Sequence, residues 1–166
     1  MSEITESERH VDRYHATCHW AGDTAIGYES YDRAHTSSAP LASTELMLSA
    51  DPAFLGHPEK LNPEQLLLMS ASSCQLLSFL AIAARARVQI LEYDDHAEAE
   101  MPEDDKPMRL TKLTLRPRIV VGPGVKEERI LKLTEMAHKQ CYISNSLSTE
   151  IAVEPTVEIR EKEIAD

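Results

Sequence analysis

The chain has 166 residues, enough to bury a hydrophobic core without disulfide or metal staples, and one domain is the expectation, with residues 1–10 a flexible tail and 11–166 the folded part. Lys and Arg number 17 against 28 Asp and Glu, a formal charge of −11, so the basic footprint of a nucleic-acid binder is missing. The polar, acidic start "MSEITESERH" and the lack of an uninterrupted apolar run of membrane length predict a soluble, cytoplasmic protein with no membrane partner. The three cysteines, Cys18, Cys74 and Cys141, are too few and too far apart for a secreted disulfide framework.

In chain order, "RYHATCHW" alternates with Tyr14, Ala16, Cys18 and Trp20 on one face, a strand pattern, and "TAIGYESY" after the turn "AGD" predicts a β-hairpin over residues 12–31. His15 and His19 fall on the face opposite Cys18, and no CxxC or HExxH spacing supports a metal site there. From Arg33 to Leu61 the sequence is rich in Pro, Ser and Ala and reads as a long loop, with one short strand at 44–49.

"NPEQ" then carries helix-start signals: Asn62 as N-cap, Pro63 in the first turn and Gln65 at the capping-box position. Residues 66–84 are apolar or small almost throughout, which predicts a long central helix buried on all sides, Met69, Phe79 and its leucines included. "VQILEYDDHAEAEM" and "LTKLTLRPRIVV" predict two strands, the second with Thr111, Leu113, Leu115, Ile119 and Val121 on one face. Acidic residues at 92–105 read as a solvated edge and turn. After the break at "GPG", Ile130, Leu133, Met136 and Ala137 mark an amphipathic helix over about 125–140, ending at Cys141. "EIAVEPTVEIR" closes as a strand whose Pro155 implies an edge or a bulge. The order predicts an α+β fold, with antiparallel strands around the central helix.

Cys74 lies about ten residues into its helix, too deep for the helix N-terminus to lower its pKa much, so it needs a cation from elsewhere to become a thiolate. Cys141, at a helix C-terminus, is the poorer first nucleophile. By spacing alone a buried free cysteine is more often an inert small hydrophobe than a nucleophile. Glu64 alone would read as a carboxylate favoured by the helix dipole, and Arg33 as a solvated hairpin-end residue.

"NPEQLLLMSASSCQ" and "AHKQCYISNSL" together resemble the two signature segments of the OsmC/Ohr family (osmotically inducible protein C and organic hydroperoxide resistance proteins), and the likeness extends over roughly residues 12–160. The resemblance implies the OsmC/Ohr-like fold and a thiol peroxidase acting on organic hydroperoxides, with Cys74 as peroxidatic and Cys141 as resolving cysteine. It further implies an arginine, for which Arg33 is the candidate, that holds Cys74 as thiolate, and a carboxylate, Glu64, that orients it. No bound cofactor or metal is implied; an external dithiol, a dihydrolipoyl protein for this family, reopens the disulfide. Gln75 and Tyr142 depart from the family pattern, which frequently has His or an aromatic residue after the first cysteine and Pro after the second.

Ten residues on one straight helix span ~15 Å, so Glu64 serves Cys74 of its own chain only if the helix breaks; otherwise it serves a neighbouring subunit. An intertwined homodimer is therefore expected, as the resemblance also implies. A non-enzymatic redox sensor and a small-molecule binding protein on the same fold are the alternative functions.

Overall fold

A computed structural model describes residues 10–161, so nine of the ten residues assigned to the tail lie outside the described residues. The chain divides into two compact units, one ending at Pro63 and the other beginning at Glu64.

The first unit holds a three-stranded antiparallel sheet, β1 (Thr17–His19), β2 (His35–Ser38) and β3 (Leu46–Leu48), in the order β1-β2-β3. The expected hairpin is displaced. β1 pairs with β2, Cys18 opposite Ser37, and "TAIGYESY" is a 3-10 turn at Thr24–Ile26 followed by further turns. Asp23 caps that turn by accepting from the Ala25 N–H, and Gly27 follows it at φ 100°, a backbone conformation that glycine takes without strain. The connection is instead closed by aromatic side chains. Trp20 Nε1 donates to the Asp32 carbonyl at 2.7 Å and meets Tyr31 edge-on, with ring centroids 6.2 Å apart. The stretch expected to be a loop from Arg33 thus supplies β2, while β3 falls inside the short strand expected at 44–49.

The second unit is built on α1 (Pro63–Arg85), which begins where the helix-start signals predicted and runs unbroken over 23 residues. Each strand expected after it is two. β4 (Ile90–Asp95) and β5 (Glu98–Glu100) come from the first, β6 (Lys112–Leu115) and β7 (Pro117–Val121) from the second, and β8 (Glu150–Val153) and β9 (Thr156–Ile159) from the last. They form two three-stranded sheets, β4-β7-β9 and β5-β6-β8, each with an antiparallel and a parallel pairing. The interruptions line up at 96–97, at Arg116 and at 154–155, so one band of strands is broken across its middle. Pro155 sits at such a break on an outer strand, where its missing N–H removes no ladder bond. Both faces of the central strands are covered: Leu113, Leu115, Ile119 and Val121 are fully buried, but so are Val120 and, almost completely, Thr114. The single-faced alternation expected there is accordingly incomplete.

Acidic side chains hold the break. Asp95 accepts from the Arg116 backbone N–H at 2.7 Å and from the Ser72 hydroxyl of α1, tying the helix to the interrupted strands. Arg116 in turn reaches Glu98 at 2.7 Å and Glu154 at 3.1 Å, and Arg118 reaches Glu92, Asp94 and Glu158. Part of the acidic stretch is therefore paired across strands rather than merely solvated, although such exposed pairs contribute little each. Asp95→Ala leaves a backbone N–H and a hydroxyl without their acceptor, so a loss of about 2–3 kcal/mol is expected, read by urea unfolding; Glu98→Ala, at the exposed end of the network, is expected to stay within ~0.5 kcal/mol.

A further helix, α2 (Glu127–Gln140), opens after Gly124, whose φ of 80° makes the turn that ends the strand. Glu127 and Glu128 in its first turn and His138 and Lys139 in its last complement the helix dipole. The core joins Phe79, Ile82 and Ala83 of α1 to Ile119 and Val121 of β7 and to Ile130, Leu133 and Ala137 of α2. Met136 lies outside that stripe, 47% exposed, and Thr134 is buried in its place.

The central helix is not buried on all sides in the single chain. Ala71, Gln75, Phe79, Ile82 and Ala83 form its buried face, whereas Met69, Leu77 and Leu80 are exposed, Leu77 at 63%. At ~100° per residue these three, with Ser73, share one stripe opposite the core. By length and composition alone α1 would also suffice to cross a membrane.

Candidate active site

α1 and α2 bring two of the expected residues together. Cys74, partly exposed on α1, interacts with Cys141, which is fully buried at the end of α2. Both thiols are free. Cys141 does more than end a helix: it also begins α3 (Tyr142–Ser146), where its Sγ accepts from the Ser144 N–H at 3.5 Å. Asn145 staples this junction, its Nδ2 donating to the carbonyls of Lys139 at 3.0 Å and Cys141 at 2.9 Å.

Burial pushes the Cys74 thiol up, but the Cys141 thiol, the backbone N–H groups of Ile143 and Tyr142 and the Ser78 hydroxyl together outweigh it and leave its pKa below the ordinary thiol value. The cation thought necessary from the sequence is thus preceded by neutral donors, most of them in the segment that carries the second cysteine. Cys141 moves the other way, pushed up by its own burial and then by Cys74. The expected order of acidity holds, with burial rather than the α2 dipole as its main cause. Nothing in periodicity betrayed α3, which is only five residues long; the signal available was the polar pair Ser144-Asn145, three and four residues after the cysteine.

Cys74 opens onto a groove of about 770 Å³ between α1 and the α2–α3 junction, lined by Leu77, Ala81 and Arg85 on one side and Tyr142 and Ile143 on the other. Tyr142, one of the two departures from the family pattern, is 83% exposed at this groove. Gln75, the other, turns away from it into the core.

The other two candidates come from other parts of the chain. Glu64 stands in the first turn of α1, ten residues and ~15 Å along the helix from Cys74. Arg33 belongs to the first unit and is buried, not a solvated hairpin end. Its guanidinium donates to the carbonyls of Tyr31 at 2.8 Å and Tyr28 at 2.7 Å and lies over both rings, 4.1 Å and 4.7 Å from their centroids. It borders a cavity of about 440 Å³ with Cys18, Trp20 and His35.

Fold and site together define an α+β protein with a contacting pair of unlike thiols on two helices. A family model described as OsmC-like protein matches residues 56–156, and the chain belongs to that family. An OsmC-like protein of unknown function from Vibrio cholerae is 28% identical, with a TM-score of 0.79 over 88% of this chain and 100% of its own. An organic hydroperoxide resistance protein from Elizabethkingia anophelis is 21% identical (TM-score 0.68, 92% of this chain and 99% of its own), and the organic hydroperoxide resistance protein OsmC from Legionella pneumophila is 18% identical (TM-score 0.66, 90% and 99%). No curated relative matches the sequence.

Proposed function

We propose that this chain is a thiol-dependent peroxidase that reduces organic hydroperoxides, and hydrogen peroxide as the smallest of them, in oxidative-stress defence in the cytoplasm. The observation that carries the reading is the contact between an acidified, groove-facing Cys74 and a buried Cys141. The Cys74 thiolate attacks the distal peroxide oxygen; the O–O bond breaks, the alkoxide takes a proton and leaves as an alcohol, and Cys74 becomes a sulfenic acid. Cys141 then attacks that sulfur, the S–O bond breaks, and a disulfide and water form. An external dithiol, a dihydrolipoyl protein in this reading, returns both thiols and leaves oxidised itself.

Arg33 is assigned the stabilisation of the thiolate and of the departing oxygen, and Glu64 its orientation, as the family resemblance implies. Because α1 has no break between Glu64 and Cys74, the support from Glu64 reaches a second copy, and the apolar stripe Met69, Leu77 and Leu80 offers such a copy a surface. The protein accordingly works as a homodimer. Loss of a single charged donor of this kind slows the chemical step ~10²–10³-fold, so Arg33→Ala, and Arg33→Lys with its lost planar fork, should react slowly with peroxide while the oxidised forms are reduced by dithiothreitol at the parent rate. Stopped-flow peroxide kinetics checks this, and an Arg33→Ala protein as fast as the parent would remove Arg33 from the site.

The deciding experiment is continuous consumption of cumene hydroperoxide by catalytic amounts of protein with excess dithiol. Many equivalents per chain are expected. A single equivalent would leave a redox sensor, and none would leave a binding protein on the same fold.

A further inference from the structure

We propose that Gln75 is a positioning residue for disulfide closure, clamping to α1, one residue from Cys74, the helix that ends in Cys141. The inference rests on the two-thiol peroxidase reading and adds to it a residue that touches neither sulfur chemistry nor groove.

Gln75 is fully buried, and its Nε2 donates to the Thr134 main-chain carbonyl at 3.2 Å. Thr134 is 2% exposed on α2, and its own hydroxyl is turned inward to the Ile130 carbonyl at 3.0 Å. Seven residues separate Thr134 from Cys141; that is two helical turns, so both lie on one face of α2, ~10 Å apart along it. A helix-interior carbonyl has a second lone pair beyond its intrahelical bond, and Gln75 takes it. The clamp therefore ties α1 to α2 on the face that presents Cys141.

Packing alone does not account for a glutamine here. Burying the amide removes it from water and freezes a flexible side chain, and its Oε1 has no hydrogen-bond partner among the described residues. Met or Leu would fill the same space without that penalty. What they could not do is hold α2 at a fixed position along α1. Closure demands such a hold. The Cys141 sulfur must approach the sulfur of the Cys74 sulfenic acid to within ~2.05 Å, from the side opposite the departing oxygen, and disulfide geometry tolerates little misplacement. If α2 shifts, the sulfenic acid still forms but waits, and a second peroxide converts it to sulfinic acid.

The test separates the two steps. Reduced protein is mixed with one equivalent of cumene hydroperoxide, sampled over time into dimedone, and peptide-mapped by mass spectrometry. For Gln75→Met, formation of the sulfenic acid is expected within about 2-fold of the parent while closure slows at least ~10-fold, with more dimedone adduct and, at excess peroxide, more sulfinic acid. Gln75→Asn, an amide one methylene too short, should slow closure in the same sense and carries the test if Gln75→Met does not fold. In the parent, the Gln75 side-chain amide should exchange slowly with deuterium in the reduced protein; fast exchange would overturn the clamp without any variant. Closure at the parent rate in either folded variant, or equal slowing of both steps, would also overturn it. A parent protein that forms neither sulfenic acid nor disulfide would overturn the peroxidase reading itself, whereas normal closure in parent and variant alike would remove the clamp alone.

Discussion

Cys74→Ser loses peroxide consumption altogether, by at least ~10³-fold against the parent, because a serine hydroxyl at neutral pH has neither the anion fraction nor the intrinsic nucleophilicity of a thiol. The variant should fold normally. Oxygen replaces sulfur at a partly exposed position on the groove side of α1, away from the Phe79, Ile82 and Ala83 face that joins the core, so urea midpoints should differ little from the parent. A parallel measurement of Cys141 alkylation makes the result specific. With its neighbour gone, Cys141 is still buried and should remain slow toward iodoacetamide, which shows that the lost activity is that of one sulfur and not a collapse of the site. Residual turnover within 10-fold of the parent would place the nucleophile elsewhere.

How much of this was legible in the sequence depends on the length scale of each signal. α1 was readable from Asn62-Pro63 and the almost wholly apolar or small stretch 66–84, and α2 from its stripe, because a helix of three or more turns repeats its pattern often enough to be seen. The strand breaks were only partly so. Pro117, directly after Arg116, is a local signal that the strand is interrupted, but Asp95, which caps the Arg116 N–H and fixes the break, is distant in sequence. Arg33 was singled out by its place in the chain, but its burial follows from two tyrosine rings and two carbonyls gathered by an irregular turn, which no period describes. The stripe on α1 that is exposed in the single chain could not be told apart from the core face, because an apolar helix surface looks the same whether its own chain or another molecule covers it. The cysteines were the most legible part, and the N–H donors that hold Cys74 the least, since a five-residue helix leaves almost no pattern.

Cys141 has two separable duties, and two substitutions tell them apart. Cys141→Ser cannot form the disulfide, so it should consume one equivalent of peroxide per chain and then stall, taking up a second, slower equivalent as Cys74 passes to sulfinic acid only when peroxide is in excess and no dithiol is present. Its hydroxyl still offers a donor to Cys74. Cys141→Ala offers none, and the Cys141 thiol is the largest of the contributions that lower the Cys74 pKa against its burial. The sign follows from the direction of that shift. Only the thiolate attacks peroxide, so in the parent the rate of the first oxidation falls as pH drops through the lowered Cys74 pKa. Removing a donor to the thiolate raises that pKa, so Cys141→Ala should show the same pH profile displaced upward and should react more slowly than Cys141→Ser near neutral pH, with the two rates converging in alkali where both thiols are ionised. Stopped-flow oxidation by cumene hydroperoxide from pH 5 to 10 reads the displacement directly. Coincident profiles for the serine and alanine proteins would mean that the backbone N–H groups of Tyr142 and Ile143 hold the thiolate without help from Cys141, leaving Cys141 with the resolving role alone.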